Sequence, residues 1–426
     1  MNLTKNLFLL LCLVSFGKSQ EKLFSLTISQ SIDNEKSWWK EINNFGKSQE
    51  ELEVDLKWVY QKNNFLVQLN LSNAYSSRQE KTFVRYVGNV NNNIHQYYIG
   101  ESFLQLSKEN KKLKVGLFYR DFSNYLNENL SSGSMLISNN SSPMPKISFL
   151  NNFKLKRNKK FSIQYGISQS WMKKEGYYIK SPWLHEKFIY LSKKNINSTL
   201  GVGLVHEAMW GGHAPEIDSA YPSGIKDFLK VFISADGPYE PPHANALGNH
   251  LGIWDFYYIF SKKNSAQLKL YYQHFFEDRS SMRFNNYYDG LWGLEIINKN
   301  KNLIFLTEYI STKNSKIDNI YQNDYYYWNY QYRVGWQNQN RIIGNPFVAI
   351  EKFQRREFNE AINLGISKQT DKLKLLLRIQ RLVNKNDSLK WFGSLEKEVL
   401  DNLSFQFSIF DSNKDFSGLI GINIKL

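Results

Sequence analysis

The stretch LEVDLKWVYQKNNFLVQLNLS, from Leu52 to Ser72, decides the fold. Leu52, Val54, Leu56, Trp58 and Tyr60 share one face of an extended chain, while Glu53, Asp55 and Lys57 share the other. A turn-like Lys62, Asn63 and Asn64 follows, and Phe65, Val67, Leu69 and Leu71 then alternate with Gln68, Asn70 and Ser72. Successive side chains of a strand point to opposite faces, so a period of two predicts a β-hairpin with one apolar and one polar face. Each run is about as long as a tilted membrane-crossing strand, ~9–11 residues.

The same signature recurs outward from this hairpin. It appears in Leu113/Val115/Leu117/Tyr119, Phe161/Ile163/Tyr165/Ile167, Leu268/Leu270/Tyr272 and Ile304/Leu306. Further on come Leu373/Leu375/Leu377/Ile379, Leu403/Phe405/Phe407/Ile409 and Ile420/Ile422/Ile424/Leu426. The segment from Glu21 to Ser48, with Trp38 and Trp39, fits a short amphipathic helix or an irregular stretch equally well.

A soluble sandwich or propeller and a transmembrane barrel both satisfy this pattern. Three features favour the barrel. The faces opposite the apolar ones carry Gln, Asn, Ser, Gly and Lys, which suit a wet lumen, and tight Asn/Gly turns join consecutive strands. Aromatics are 15% of residues, more than a soluble protein needs and fitting for lipid-facing bulk and interfacial girdles. The last residues form an alternating strand, which a barrel closes against its first. At roughly 22 residues per strand and connection, the chain gives about 18 strands.

Residues 1–20 read as a secretory signal peptide: Lys5, an apolar run from Leu7 to Val14, then small Ser15, Gly17 and Ser19. Cys12, the only cysteine, lies inside that run, so residues 21–426 are expected to form one barrel domain without a thiol or disulfide. Leu11 is not the small residue that a lipoprotein signal wants before its cysteine. The formal net charge is +15; Lys5 and Lys18 fall in the signal segment without any acid, leaving +13. This surplus either marks an anionic partner, such as phosphate-bearing lipid or acidic polysaccharide, or reflects Lys and Asn standing in for Arg and Gln. Export argues against nucleic acid.

One segment breaks the pattern. Gly201 to Phe260 carries four of the seven histidines, His206, His213, His243 and His250, and five of the nine prolines. Such a mixture predicts a large ordered loop or lid. The histidine spacing matches no compact ligand motif, so no metal or cofactor is expected. No serine sits in a Gly-x-Ser-x-Gly elbow. Glu207, Glu216 and Asp218 lie close together in sequence and leave a paired-carboxylate glycosidase open, but any loop of this size offers as much, so no catalytic residue is named. The aromatic and polar side chains suit sugars, whose apolar ring faces stack on aromatics while hydroxyls take polar groups. Trp210, Tyr239 and Trp254 are candidates for stacking; His213, Asp236, His243 and Asn245 are candidates for hydrogen bonding. The alternative is a plug whose aromatics pack against the barrel wall.

Several ordered stretches carry a family resemblance. They are Ser131–Asn140 with Pro143–Ile147, Pro182–Lys187 with Tyr190 and Leu191, Trp210–Gly212, and Asn245–Phe256. Tyr272–Asp278, Asn286, Asp289–Gly293, Thr307–Tyr309 with Thr312, Asp324–Tyr326, Gly335 with Trp336, and Ile343–Pro346 then follow in order. This series resembles the capsule-assembly Wzi family of outer-membrane barrels, in its Bacteroidetes-type form, departing where Asn140 is followed by Ser141 instead of Ala. The resemblance implies an 18-stranded barrel with loops over its mouth and helices plugging its periplasmic side. It further implies a Gram-negative outer-membrane location and a non-enzymatic role in attaching capsular or other surface polysaccharide. Expected partners are that polysaccharide and outer-membrane lipid, with the chain a monomer; the alternative function is a porin or transporter for glycans or small solutes. The state of the lumen discriminates the two, since a plugged barrel fits anchoring and an open one fits transport.

Overall fold

The alternating runs are antiparallel strands joined edge to edge around one closed barrel. This computed structural model describes residues 22–32, 42–47, 51–75, 81–84, 88–91, 95–173, 177–237, 246–262, 265–277, 279–313, 326–348, 360–383, 389–412 and 415–425. The expected signal peptide lies outside the described residues. In chain order the staves begin with β1 (Lys22–Ser31), β2 (Leu52–Lys62), β3 (Phe65–Tyr75) and β4, in two segments His95–Ile99 and Ser102–Lys108. They continue with β5 (Lys111–Phe118), β6 (Met144–Lys154), β7 (Phe161–Trp171), β8 (Trp183–Lys194) and β9 (Ser198–Trp210). Next come β10 (Asn249–Lys262), β11 (Ala266–Phe276), β12 (Gly290–Asn298), β13 (Leu303–Ser311) and β14 (Glu360–Gln369). The last are β15 (Leu373–Leu382), β16 (Leu389–Leu400), β17 (Leu403–Ser412) and β18 (Asp415–Lys425).

Both β4 segments pair with β3, so they form one stave and the barrel has the eighteen expected from the sequence. β1 closes on β18 from Ser25↔Lys425 to Ser31↔Leu419. The first stave is one that sequence reading left open. Its Phe24, Leu26 and Ile28 stand opposite Trp58, Leu56 and Val54 of β2, continuing the apolar face around the seam. Removing Asn423 to Leu426 deletes the β1 partners of Ser25, Leu26 and Thr27, and the β17 pairings of Leu403 and Ser404. The truncated chain should therefore be missing from the heat-modifiable outer-membrane fraction. Normal insertion would place the seam elsewhere.

Tight turns such as Asn63-Asn64 and Asp401-Asn402 lie at the end where β1 begins and β18 finishes. Asn63 takes φ 50, a left-handed angle that asparagine tolerates better than most residues. Long connections lie at the opposite end. Outer-membrane barrels keep short turns in the periplasm and long loops outside, which sets the orientation.

The apolar faces turn outward as expected. Leu375 and Phe405 are 41% and 44% exposed on the outer wall, while Arg378 and Ser404, at inward positions of the same strands, are buried. An 18-stranded barrel is wide enough to leave an aqueous channel, but here chain segments fill the bore. The main apolar core lies inside, where Phe122, Leu136, Tyr327 and Trp336 pack with the wall residues Leu184, Val205, Ile253 and Phe275.

The resemblance implied helices at the periplasmic mouth. Among the described residues, the helices are instead α1 (Ile225–Ile233) and the single turn α2 (Arg279–Met282). Both belong to extracellular connections and pack on the outer wall. Residues 119–143 enter the bore as coil, because inward polar side chains satisfy the backbone groups that a helix would satisfy within itself.

Candidate functional site

The site is built from a plug, a second segment laid over it, and a lid of loops. The plug, residues 119–143, leaves the top of β5 and returns to the top of β6. Its anchors are polar residues at inward positions of distant staves. The Asp255 carboxylate of β10 accepts Ser123 Oγ at 2.5 Å and Tyr190 Oη at 2.6 Å, and also the Tyr125 hydroxyl. Glu308 of β13 accepts Ser131 Oγ and the Ser132 N–H at 2.6 Å, Tyr271 Oη at 2.5 Å and Asn363 Nδ2 at 2.8 Å. Gln273 accepts the Met135 N–H at 2.9 Å and donates to Ser123 Oγ at 2.9 Å.

Cations complete the grip. Arg378 donates to the carbonyls of Asn129 and Ser131 at 3.2 and 3.1 Å. Lys146 donates to the Tyr119 carbonyl and to Glu186 at 3.1 Å. Burying charge is tolerable only where partners replace water, and charge-assisted hydrogen bonds do so here.

Residues 326–348 lie on this plug. Trp336 Nε1 donates to the Leu136 carbonyl at 3.0 Å, and Asn345 Nδ2 donates to the Gly133 carbonyl at 2.8 Å. Tyr327 donates to the Met135 carbonyl, and burial pushes its phenol above the ordinary range, keeping it a donor. Gly344 is required at the contact: a Cβ there would stand 2.5 Å from the Met135 carbonyl oxygen and 2.1 Å from Tyr327 Oη.

Above these segments the loops interlock. Tyr332 Oη donates to the Gly211 carbonyl at 3.1 Å, and Tyr221 Oη donates to the Gln331 carbonyl at 2.7 Å. Tyr177 Oη donates to Glu216 at 2.5 Å, and Arg333 approaches the same carboxylate at 3.7 Å. Tyr330, Arg333 and Asp218 are exposed on this outer surface. Burial lowers the Lys173 ammonium pKa from its usual value.

The structure separates the sequence candidates. The span from Gly201 to Phe260 is one loop only in its middle; its ends are β9 and β10. Trp210 is the outward last residue of β9, buried against Trp183 at 4.8 Å and Phe228 of α1 at 5.7 Å. Trp254 faces outward from β10, donates to the Met282 carbonyl at 3.1 Å and stacks near Phe284. Neither ring points into the bore. His213 sits in the lid, its Nε2 2.9 Å from the Ile217 carbonyl oxygen. Asp236 is exposed just beyond α1 and bridges to Ala246. Tyr239, His243 and Asn245 lie outside the described residues.

Histidines seven apart in sequence are not the ones that meet. His250 Nδ1 lies 2.9 Å from His206 Nε2 on the outer wall. Among the described residues, no three His, Cys, Asp or Glu side chains gather around a metal position. Glu207 is fully buried on the lumen wall, Glu216 is held in the lid and Asp218 is exposed, so these acids do not face one another. The plug anchors went unread because Asp255, Gln273, Glu308 and Asn363 look like ordinary lumen-facing polar positions. The signal available was two isolated acids, each on a strand's polar face.

A closed barrel with an apolar belt and extracellular loops over a filled bore defines the class: an outer-membrane β-barrel of a Gram-negative bacterium. The family described as capsule assembly protein Wzi matches residues 37–354, and the chain belongs to that family. Among solved structures, it is similar to Wzi of Escherichia coli, described as a carbohydrate-binding β-barrel involved in group 1 capsule assembly. That likeness has a TM-score of 0.61 at 14% identity, covering 94% of this chain and 84% of that one. A variant porin of Rh. blastica aligns over 95% of this chain and 98% of its own, at 6% identity and a TM-score of 0.36. CdiB of Acinetobacter baumannii aligns over 96% and 60%, at 10% identity and a TM-score of 0.36. No curated protein sequence matches significantly.

Proposed function

We propose that this barrel binds and holds capsular or other surface polysaccharide at its extracellular mouth, without catalysing a reaction on it. The observation that carries the reading is a bore filled and pinned from many staves beneath a lid bearing aromatic and cationic side chains. Among the described residues, the segments 119–143 and 326–348 pinned across the bore argue against a porin. The family membership and the description of the Escherichia coli protein as carbohydrate-binding support the same reading.

The contact surface on this reading comprises Tyr330, Arg333 and His213 of the lid with Asp236, Tyr239, His243 and Asn245 of the β9–β10 connection. Tyrosine rings take the apolar faces of sugars, and Arg333 takes carboxylates of an acidic glycan. Trp210 and Trp254 fasten the connections to the wall and set that surface's position. A long glycan repeats its contacts, so weak single-site affinity still gives firm retention.

Binding of purified capsular polysaccharide to the detergent-solubilised protein tests the assignment. Combining Tyr330→Ala with Arg333→Ala should weaken binding about tenfold, some 1.4 kcal/mol, at unchanged thermal stability. Trp210→Ala should do the reverse, costing about 3 kcal/mol of stability through a cavity under α1 while the refolded fraction still binds. Full binding by the first variant would remove the lid from the site.

A further inference from the structure

We infer that α1 is an interfacial anchor that seats the extracellular loops in the outer leaflet of the membrane. The helix has nine residues, short enough to be marginal alone, so its stability comes from docking. Its first turn is fixed by Asp227, whose carboxylate accepts the Gly224 N–H at 2.8 Å. At its end Ser234 takes a left-handed φ of 54 and its N–H bonds the Val231 carbonyl at 3.2 Å.

Its wheel divides into three sectors. Phe228, Val231 and Phe232 dock on the outer wall, where Phe228 and Phe232 flank the His185 ring at 5.1 and 5.6 Å. Lys187 of β8 donates to the Phe232 carbonyl at the helix C-terminus and lies 4.5 Å from that ring. Lys226 and Lys230 share an exposed polar flank. The third sector is apolar and uncovered: Ile225, Leu229 and Ile233 are 83%, 56% and 71% exposed. A helix that only capped a wall would need the first sector and no second apolar one.

The occupant follows from continuity with the lipid-facing wall. Below Lys187, the next outward residues of β8 are Ile189 and Leu191, both exposed to the membrane, and Leu200 of β9 is likewise bare. Outward residues of a strand are ~7 Å apart, so the helix C-terminus stands one such step above the lipid belt. That is the headgroup and upper acyl level, where interfacial helices bury their apolar face about 5–10 Å. Lys226 and Lys230 then meet the headgroup phosphates, as the lysine-bearing polar face of an interfacial helix does. The loop running from β9 through α1 also carries Gly211 and His213 of the lid, so the membrane surface becomes a reference plane for the mouth.

The test places an environment-sensitive fluorophore on the full chain. Leu229→Cys is labelled in a background carrying Cys12→Ala, and Ile225→Cys serves as a second position. Tyr330→Cys on the lid is the control, and heat-modifiable migration verifies folding of each. The proteins are reconstituted into phosphatidylethanolamine and phosphatidylglycerol vesicles containing lipid with a nitroxide near the carbonyl end of the acyl chain. Quenching several-fold stronger at 225 and 229 than at 330, with both shielded from aqueous iodide, is the expected result. Quenching no greater than the control at either position, or free access to iodide, overturns the inference.

Discussion

Glu308→Ala is expected to loosen the plug, lowering the stability of the micelle-bound barrel by about 3–5 kcal/mol and opening a path for ions. The carboxylate accepts from two residues of the plug, Ser131 and Ser132, and from two staves, through Tyr271 and Asn363. Alanine takes the acceptor from Ser131 Oγ, the Ser132 N–H and Tyr271 Oη in a space closed to bulk water, while Asn363 Nδ2 keeps only the Leu130 carbonyl, and that combined penalty exceeds the loss of any single bond. Arg378, which holds the neighbouring carbonyls of Asn129 and Ser131, also loses its compensating negative charge. Denaturant titration measures the first effect, and single-channel recording in planar bilayers measures the second. Glu308→Gln keeps an acceptor and should cost about 1–2 kcal/mol without steady conductance. A silent bilayer and unchanged unfolding for the alanine variant would mean that packing alone, through Phe122, Leu136 and Trp336, retains the plug.

The second large effect lies on the other side of the wall. Leu375→Arg combined with Phe405→Arg should destabilise the barrel in lipid by roughly 4–8 kcal/mol, each change costing ~2–4 near mid-membrane. Both side chains are exposed on outward positions of β15 and β17, so in water each substitution would be nearly harmless. Only a hydrocarbon solvent makes a guanidinium there expensive. The two sites lie on different staves and their costs should add. Unfolding of vesicle-reconstituted protein by guanidinium chloride reads the sum, and a loss below ~1 kcal/mol would show that these faces do not meet lipid.

Period-two alternation is enough to determine the strands and the face each side chain takes. It places Val54, Leu56 and Trp58 on one face and Asp55 on the other whatever their partners, because the pleat of an extended chain is a local property. The strand length, the polar second face and the tight Asn turns then select a membrane barrel, and the spacing of the runs gives its number of staves. The first stave escaped because Lys22–Ser31 carries a weaker contrast, with Ser25, Thr27 and Ser29 inward and its pairing supplied by β2 and β18.

The contents of the bore were decided only by tertiary structure. Asp255 and Glu308 follow the same alternation as any wet-lumen residue, and nothing local distinguishes a carboxylate facing water from one holding Ser123 or Ser131 over a separation of more than a hundred residues. The fate of the aromatic candidates was equally non-local. Trp210 and Trp254 sit on the outward parity of β9 and β10, and what covers them is set by where α1 and α2 fold back. A sequence fixes which face a side chain takes along its own strand; what stands against that face depends on contacts made by chain segments far away.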